Sequence, residues 1–508
     1  MSLLGIDVGT TGVKVLLLGT DGTIQANVTE TYDTRKPHPM WSEQNPEDWW
    51  GATCVAIRKA LSNSGVKAHE IKGVGLSGQM VGLVTLDDDE QVIRPCIMWN
   101  DQRSAEEAEK WTNRIGLDTI LEETSNPLFA TFVAPKLMWM KAHEPENYGQ
   151  ISKFLMPKDY ITYRLTGHVG TEVSDASGTC LFNVRERRWS SKMTRALGIP
   201  EEWLPPCKES DELAGTITAT AAKRSGLITG TPVIAGAGDQ PAQALGSGIV
   251  KTGLCSVTIG TSGVIFAQSD QHFKHPQGLL HSFCHSVHGQ WYLMGVMLSA
   301  GGSFQWLRDL FNSLSPMSYD SMTNLAARAP PGCEGLIFLP YLSGERCPYD
   351  DPRARGGWIG LTQRHSLAHL IRAVMEGITF GLRDSVQLLN DLGMSISKVY
   401  ASGGAVRNPF WRQMLADVFG TVVTTTNVTE GAAYGAAMLA GIGTGEYSGA
   451  KEASHALIRE KETTRPNPGT TKVYENTYAI YHSLYPRLKD SFGSLTGLAT
   501  MGEIGLKK

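Results

Sequence analysis

Two turns of nearly the same composition stand about half a chain apart, each flanked by apolar residues typical of β-strands. The first, residues 9–12, reads Gly-Thr-Thr-Gly, and the second, residues 260–263, reads Gly-Thr-Ser-Gly. Consecutive backbone N–H groups and hydroxyls in such a turn form a concave site that binds an anion without a full positive charge. We therefore predict that both turns bind the phosphates of one nucleotide, through Thr10, Thr11, Gly12, Gly260, Thr261 and Ser262, with Lys14 beside the first turn.

The strand residue before the turn differs between the two copies, being Asp7 in the first and Thr258 in the second. A carboxylate beside phosphates commonly holds Mg²⁺, directly or through water. Asp7 is therefore the predicted metal ligand. The alternative is an aspartate that merely ends a strand.

A second candidate carboxylate follows the apolar run 232–234 and the small residues after it, which place Asp239 at the carboxyl end of a strand. Ligands of open α/β folds bind at that end. Phosphoryl transfer needs a carboxylate that accepts the hydroxyl proton and orients the nucleophile. We predict that Asp239 is this base. It could also, or instead, be the N-cap of a helix that starts near Pro241.

A strand, a Gly-Gly turn and a helix are predicted across residues 402–411. Gly403 and Gly404 would let an adenine ring or its ribose approach the backbone closely. A plain connection between a strand and a helix is the alternative.

The elements that must position these residues alternate between strands and helices in both halves of the chain, which indicates an α/β protein. A hairpin over residues 3–18 precedes a third strand at 24–32, a helix at 46–61 and a strand at 71–76. The recurring turn favours duplicated domains, 1–247 and 248–508, with the boundary near 246–253. In the second half, strands are predicted at 254–267, 290–294 and 398–401, and helices at 302–311, 366–391, 410–418, 431–440 and 473–492.

Composition points to a small-molecule partner. The 508 residues carry a net charge of -4, with 41% hydrophobic and 19% charged residues, so we expect no nucleic-acid or anionic-membrane partner. The first residues lack the regions of a secretory signal, and no run reaches the length of a membrane span, so a cytoplasmic protein is expected. The eight cysteines show no metal or redox spacing and are predicted to be reduced.

Three further patterns are predicted to carry no chemistry. The spacing Gly-x-Gly-x-x-Gly at 73–78 is followed by a strand pattern, which argues against a dinucleotide site. His281, Cys284, His285 and His288 are expected to fall on opposite faces of a strand and to bind no metal. The acidic run 87–90 reads as a solvated turn. The chain has no Walker A sequence, so its ATP site would not be a P-loop.

Taken together, these motifs and several others resemble the FGGY carbohydrate kinases, in order and over nearly the whole chain. The residues that carry the resemblance are segments 5–12, 78–80, 99–103, 134–139, 157–160, 174–178, 236–239, 260–263 and 403–405. The resemblance implies two actin-like, ribonuclease H-like domains with ATP, Mg²⁺ and a sugar in an interdomain cleft. It further implies Asp239 as catalytic base, Asp7 as the metal-associated residue, adenosine contacts from Gly403, Gly404 and Asn408, and a possible homodimer.

By the same resemblance, the sugar would lie against Gln79, Met80, Val81, Trp99, Asn100, Asp101 and Asp239. Segments 37–44, 281–285 and 339–346 are similar to members that phosphorylate the pentulose D-xylulose. Val81 departs from those members, which commonly have a sugar-contacting histidine there. An unpaired sugar hydroxyl in a buried site costs about 1 to 3 kcal/mol, enough to change substrate preference.

Four alternatives therefore stay open. The substrate could be another ketose, a polyol, or a sugar acid, and a sugar acid would need Arg103 or Lys136 near its carboxylate. The chain could also be a non-enzymatic actin-like ATP-binding protein, such as a filament former or a chaperone ATPase. That class would not need the pocket residues of segments 79–80 and 99–101.

Overall fold

The computed structural model describes residues 1–313 and 316–505. Over these residues, the strands are β1 Ser2–Val8, β2 Gly12–Gly19, β3 Ile24–Thr31, β4 Glu43–Gln44, β5 Ile71–Gly78, β6 Val84–Leu86, β7 Cys96–Ile97, β8 Lys153–Leu155, β9 Thr171–Glu172, β10 Phe182–Asn183, β11 Arg188–Trp189, β12 Cys207–Lys208, β13 Leu213–Thr216, β14 Pro232–Ile234, β15 Ala237–Gly238, β16 Leu254–Ile259, β17 Gly263–Ser269, β18 His281–Cys284, β19 Trp291–Met297, β20 Ile337–Leu339, β21 Gly357–Ile359, β22 Lys398–Gly403, β23 Val422–Thr426 and β24 Glu460–Thr464.

The α-helices of the same residues are α1 Pro46–Ser64, α2 Ala105–Ile115, α3 Leu117–Thr124, α4 Val133–His143, α5 Pro145–Gly149, α6 Pro157–Thr166, α7 Val173–Ser177, α8 Ser191–Leu197, α9 Ala219–Ser225, α10 Asp239–Gly246, α11 Gly301–Asn312, α12 Tyr319–Ala326, α13 Leu367–Asp391, α14 Pro409–Phe419, α15 Gly431–Gly443, α16 Ala450–Leu457 and α17 Pro468–Gly505. Short 3-10 helices lie at Ala68–Glu70, Glu201–Trp203, Cys333–Gly335 and Ala405–Arg407.

The chain folds into two compact units that are not continuous in sequence. The first contains Met1–Thr252, Gln268–Tyr292 and Val428–Arg459. The second contains Gly253–Ala267, Leu293–Asn427 and Glu460–Lys508, of which 314–315 and 506–508 lie outside the described residues. The division into sequence domains 1–247 and 248–508 stays a prediction. The compact units differ from it in that two segments of the second half complete the first unit.

The sheet of the first unit has the order β13–β14–β5–β1–β2–β3, with β15 also paired to β5. β1 and β2 form the predicted hairpin around turn 9–12, and β3 extends it antiparallel to β2. β5 lies parallel to β1 on the other side, and β14 and β15 lie parallel to β5. The carboxyl ends of β1, β5 and β15 therefore meet at one edge of the sheet.

Helix α1 covers one face of this sheet. Asn45 caps it by accepting a hydrogen bond from the Glu47 N–H at 3.2 Å, and Gly65 ends it in a left-handed conformation. Its buried side chains, including Trp49 and Ile57, form one core with apolar residues of the strands. The helix predicted at 46–61 is thus confirmed and extends to Ser64.

The opposite face receives helix α15, which is rich in small residues. A Cβ atom at Gly5 would lie 2.0 Å from the Ala433 carbonyl oxygen, and one at Gly75 would lie 1.9 Å from that of Ala436. Only glycine allows backbone contact this close. The helix therefore packs directly on the backbones of β1 and β5.

The second unit repeats this strand order. Its strands follow the order β19–β17–β16–β22–β23–β24 within a seven-stranded sheet, with β16 and β17 antiparallel around turn 260–262 and β22 parallel to β16. The repeat extends to side chains, since Asp7 is in register with Ser77 and Thr258 is in register with Ser402. This common arrangement supports the predicted duplication.

Several boundaries differ from the sequence prediction. Helix α17 begins at Pro468 rather than 473, because Asn467 Oδ1 accepts hydrogen bonds from the backbone N–H groups of Gly469 and Thr470. The strands predicted over 254–267 are β16 and β17, which lie on either side of the predicted turn, and β17 extends to Ser269. No helix of the described residues is long and apolar enough to cross a membrane, and no cluster of metal-ligating side chains occurs among them. All eight cysteines are free thiols, and most are buried.

Candidate active site

Asp239 stands where strand β15 ends and helix α10 begins. β14 stops at Ile234, Gly236 turns the chain with a φ of 81°, and β15 then resumes beside β5. Gly238 is the N-cap of α10, so Asp239 is the first residue of the helix. The alternative that Asp239 is the N-cap of a helix starting near Pro241 is wrong, because the helix begins two residues earlier and Gly238 is its N-cap.

Asp7 lies near the end of β1, in register with Lys14 on β2 and with Ser77 on β5. Ser77 is in turn in register with Ala237, and Gly78 with Gly238. Asp239 follows Ala237 by two residues, so Asp7 and Asp239 lie at the same edge of the sheet with strand β5 between β1 and β15. Asp7 Oδ1 is buried and has no hydrogen-bond partner in the protein.

Both carboxyl groups have raised pKa values. Burial raises the pKa of Asp7 to about 6, against the opposing effects of the Lys14 charge and the Ser77 hydroxyl. Burial and, to a smaller extent, the negative charge of Asp7 together raise the pKa of Asp239 to about 7. The two carboxyl groups share a desolvated site, and one of them has a pKa near neutral pH. This pattern is found at sites of proton transfer.

The first turn is closed by a hydrogen bond from the Gly9 N–H to the Gly12 carbonyl at 3.1 Å. Thr10 is half-buried, and its hydroxyl accepts a hydrogen bond from Trp99 Nε1 at 3.0 Å, while Thr11 is exposed. The Lys14 ammonium, predicted to contact phosphate, forms an ion pair with Glu430, just before α15. The structure thus brings Thr10 and Trp99 together and places a carboxylate beside Lys14.

Gln44 was not among the predicted site residues, yet it connects them. Its Nε2 donates to the Thr10 carbonyl at 2.7 Å, and its Oε1 accepts hydrogen bonds from Gln79 Nε2 at 3.0 Å and Trp49 Nε1 at 2.9 Å. Gln79 Oε1 is buried without a protein partner. No spacing rule marks a glutamine for this role, although Gln44 does fall in segment 37–44.

Met80 covers the backbone that leads into Asp239. A Cβ atom at Gly238 would lie 2.6 Å from Met80 Cγ, so the side chain rests directly on that glycine. Tyr292 directs its hydroxyl toward Met80 Sδ, with an oxygen–sulfur distance of 3.9 Å. The predicted sugar residue Met80 and the predicted base are therefore neighbours.

Val81 adopts a left-handed backbone conformation, with a φ of 56°, which β-branched residues rarely adopt. Its carbonyl accepts a hydrogen bond from Lys136 Nζ at 2.7 Å. Lys136 is fully buried on α4, and burial lowers its pKa to about 7. A Cβ atom at Gly178 would lie 2.4 Å from Val81 Cγ1, so the side chain is also packed tightly.

Trp99 and Asn100 are exposed, whereas Asp101 is fully buried. The Asp101 carboxylate accepts hydrogen bonds from the Ser42 N–H at 2.6 Å and from Arg103 Nε and Nη2 at 2.9 and 2.7 Å. The Arg103 guanidinium also pairs with Glu43 and lies 3.7 Å from the centre of the Trp41 ring. Both ionic groups are thus committed to protein partners.

The predicted residues of the second unit surround a cavity of about 490 Å³. Gly260, Thr261, Gly404 and Asn408 line it, while Gly403 ends β22 beside it and Ser262 is exposed on the turn. The side chain of Asn408 caps α14 and donates to the Thr323 hydroxyl at 2.9 Å. The turn itself is held by N–H groups of Gly301 and Gly302, which donate to the Gly260 and Thr261 carbonyls at 2.9 Å each.

Aromatic residues that the sequence prediction missed complete this cavity. They come from three helices, and the ring of Phe304 stacks on that of Tyr319 and contacts that of Trp411 edge to face, at centroid distances of 5.7 and 5.1 Å. A flat apolar lining beside glycine-rich backbone suits a planar heterocycle. The predicted site residues therefore fall into two groups, one in each unit.

Comparison with known proteins assigns the family. The model for the N-terminal domain of the FGGY family of carbohydrate kinases matches residues 2–246, and that for the C-terminal domain matches 255–444. The xylulose kinase of Bacillus subtilis (strain 168) is 38% identical over 488 residues, covering 96% of this chain and 97% of the relative. The crystal structure of a "xyloylose kinase" from Brucella ovis matches with a TM-score of 0.90 and 35% identity, covering 96% of this chain and 100% of that one.

The crystal structure of a gluconate kinase from Lactobacillus acidophilus is also similar, with a TM-score of 0.92 and 27% identity, covering 97% of this chain and 99% of that one. These findings confirm the predicted α/β fold class and the predicted enzyme class, and they argue against a non-enzymatic actin-like protein. The duplicated phosphate-type turns, the paired aspartates and the family matches agree, and the chain belongs to the FGGY family of carbohydrate kinases.

Proposed function

We propose that this chain transfers the γ-phosphoryl group of ATP to a hydroxyl of D-xylulose, giving D-xylulose 5-phosphate and ADP, with Asp239 as general base. One observation carries the role of Asp239: this residue directly follows the parallel strand β15, at the same sheet edge as Asp7, and the pKa of its carboxyl group is raised to about 7. The substrate is proposed from the relatives, since a xylulose kinase is 38% identical over nearly the full chain.

In this reaction Asp239 accepts the proton of the sugar hydroxyl as its oxygen bonds to the γ-phosphorus, and the bond from that phosphorus to the leaving oxygen of ADP breaks. A base with a pKa near the working pH suits this task, because it is ionised before the reaction yet can hold the proton afterwards. Most of the remaining catalysis in phosphoryl transfer is positioning and charge stabilisation.

The nucleotide is proposed to lie with its adenosine in the cavity of the second unit, against Gly403, Gly404 and Asn408. Its phosphates would meet the backbone and hydroxyls of Thr10, Thr11, Gly12, Gly260, Thr261 and Ser262. Lys14 would have to leave or share its partner Glu430 to contact a phosphate.

Mg²⁺ fits Asp7, whose buried Oδ1 has no partner in the protein and offers the oxygen ligand that this ion prefers. When bound, the ion would neutralise phosphate charge. Asp7 alone cannot complete an octahedral shell, so phosphate oxygens and water would supply the other ligands.

The sugar is proposed to lie against Gln79, Met80, Val81, Trp99 and Asn100, next to Asp239. Gln79 Oε1 is a buried acceptor that a sugar hydroxyl would satisfy. Because the Asp101 carboxylate is bound to Arg103 and to the Ser42 N–H, we assign it to holding the Trp99–Asn100 segment rather than to direct sugar contact.

A sugar acid is the second candidate, since a gluconate kinase has a similar structure. Such a substrate would need a cation, and the sequence offered Arg103 and Lys136. Arg103 is bound by two carboxylates, and Lys136 donates to the Val81 carbonyl while burial lowers its pKa to about 7. These contacts favour a neutral sugar.

The test is ADP release with MgATP and each of D-xylulose, pentitols, glycerol and gluconate, using the native chain and Asp239→Asn. We expect turnover on D-xylulose that falls by at least about 10³-fold in the variant, since it lacks the base. Turnover on gluconate but not D-xylulose would replace the substrate and keep the mechanism. Native-like activity of Asp239→Asn would overturn the assignment of the base.

Two further expectations belong to this proposal. A cytoplasmic location and a homodimer remain predictions, and sedimentation of the purified chain would decide the second.

A further inference from the structure

A buried ionic cluster lies beside the backbone that carries Asp239. Lys158 Nζ is 2.5 Å from an Asp159 oxygen, 3.3 Å from a Glu172 oxygen and 3.1 Å from an Asp175 oxygen. The four side chains are at most 2% exposed. Burial by itself would lower the pKa of Lys158, but the three carboxylates raise it well above its ordinary value, so this ammonium stays charged.

Glu172 is the member of the cluster that organises its surroundings. Its carboxylate accepts hydrogen bonds from the N–H groups of Ser174 and Asp175 at 2.7 and 2.9 Å, which caps helix α7. It also accepts the hydroxyls of Ser174 and Ser210 at 2.7 and 2.8 Å. A carboxylate with this many donors is fixed in position.

Ser174 connects this fixed carboxylate to the candidate active site. Its hydroxyl donates to Glu172 Oε1 and accepts a hydrogen bond from the Gly238 N–H at 3.0 Å. Gly238 is the residue immediately before Asp239 and the N-cap of α10. Strand β15 has only two residues and pairs with β5, so the hydroxyl of Ser174 is an important additional restraint on its end.

We propose that Ser174, held by Glu172, is a positioning residue that sets the place of Asp239 through the Gly238 backbone. This inference rests on the proposed role of Asp239 as the base. Phosphoryl transfer depends on alignment of the attacking oxygen, and a displacement of about 1 Å can lower a rate about 100-fold. Met80 rests on the same glycine, so the restraint also serves the surface proposed to meet the sugar.

The test compares Ser174→Ala with Ser177→Ala, a matched control on the same helix. Ser177 is equally buried, donates to the Val173 carbonyl at 2.7 Å and accepts the Cys284 N–H at 3.0 Å, but has no bond to Gly238. Both variants lose one hydroxyl and two hydrogen bonds. Steady-state kinetics with D-xylulose and ATP, thermal melts and Asp239→Asn would be measured together.

We expect Ser174→Ala to lower kcat by about 10- to 100-fold with the KM for ATP unchanged, and Ser177→Ala to keep kcat within about twofold at a comparable loss of melting temperature. Equal kcat losses in both variants, or a normal kcat in Ser174→Ala, would overturn the positioning role. If Ser174→Ala does not fold, Ser174→Cys, whose thiol bonds more weakly, serves instead, and a normal kcat there overturns it as well.

The two proposals fail in distinguishable ways. If Asp239→Asn keeps native-like activity, Asp239 is not the base, and the positioning role of Ser174 is refuted as well. An inactive Asp239→Asn together with a normal kcat in Ser174→Ala leaves the base in place and refutes only the role of Ser174.

Discussion

The negative charge of Asp7 raises the pKa of Asp239, although β5 lies between β1, which carries Asp7, and β15, which leads into Asp239. Burial makes the larger contribution, and together they bring the pKa of Asp239 to about 7. The same sheet edge thus holds a carboxylate suited to a cation and a carboxyl group suited to exchange a proton.

The first prediction concerns the pH dependence of the reaction. Because Asp239 must be ionised to accept a proton and its pKa is about 7, kcat/KM for the sugar should fall about tenfold per pH unit below that value. The measurement is kcat/KM for D-xylulose from pH 5.5 to 9 at saturating MgATP. The residual activity of Asp239→Asn should not show this decrease at low pH. A kcat/KM of the native chain that stays constant down to pH 5.5 would contradict the assignment of Asp239 as the base.

The second prediction concerns stability. The raised pKa of Asp239 means that folding disfavours its ionised form, so the contribution of Asp239 to the stability of the native chain decreases as pH rises from about 4 to about 7. Asp239→Asn should therefore raise the free energy of unfolding by about 2 to 4 kcal/mol at pH 8 and by almost nothing at pH 4. Urea unfolding at both pH values checks this. A gain of equal size at the two pH values would show that charge is not the cause.

The third prediction concerns the sugar side of the site. Lys136→Met keeps the apolar stem but leaves the Val81 carbonyl without its donor, and Val81 is already in an unfavourable conformation. An unsatisfied buried carbonyl costs about 1 to 3 kcal/mol of folding stability, and the Val81 backbone can avoid this cost only by shifting. Because Val81 lies in the proposed sugar site, such a shift should raise the KM for the sugar several-fold, with little change for ATP. The control is Lys141→Met, an exposed lysine on the same helix. An unchanged sugar KM would refute the role of Lys136.

The fourth prediction concerns the nucleotide cavity. A methyl group at Gly404 would meet no atom within 4 Å, and the backbone there is helical, so Gly404→Ala should fold normally. If adenosine occupies this space, the methyl group should raise the KM for ATP several-fold and leave the KM for the sugar unchanged. Gly51→Ala, inside helix α1 and equally unobstructed, should change neither and should stabilise the chain by about 0.5 to 1 kcal/mol. Identical ATP kinetics in both variants would place the nucleotide elsewhere.

Local sequence patterns predicted the elements well because each element is determined largely by its own residues. The hairpin around 9–12, helix α1 and helix α13 follow from alternation, from capping and from helical spacing. Asp239 could be located for the same reason, since an apolar strand followed by small residues indicates where the strand ends.

Residues that act through distant partners could not be predicted in this way. Gln44 contacts Thr10 and Gln79, which lie 34 and 35 residues away along the chain. Lys136 contacts Val81 across 55 residues, and the aromatic wall of the cavity comes from three separate helices. No spacing in one segment encodes such contacts. That residues 428–459 belong to the first unit could not be predicted either, because it depends on packing between distant segments rather than on a local sequence pattern.

Because α15 packs directly on Gly5 and Gly75, the sheet of the first unit cannot be covered until late in the synthesis of the chain. The ribosome completes β1, β2, β3 and β5 long before residues 431–443 are made, so the glycine face of the sheet stays uncovered while most of the chain is translated. A fragment ending at residue 252 would retain that bare face permanently. Expressed alone, it should aggregate unless the segment 428–459 is supplied as a separate peptide.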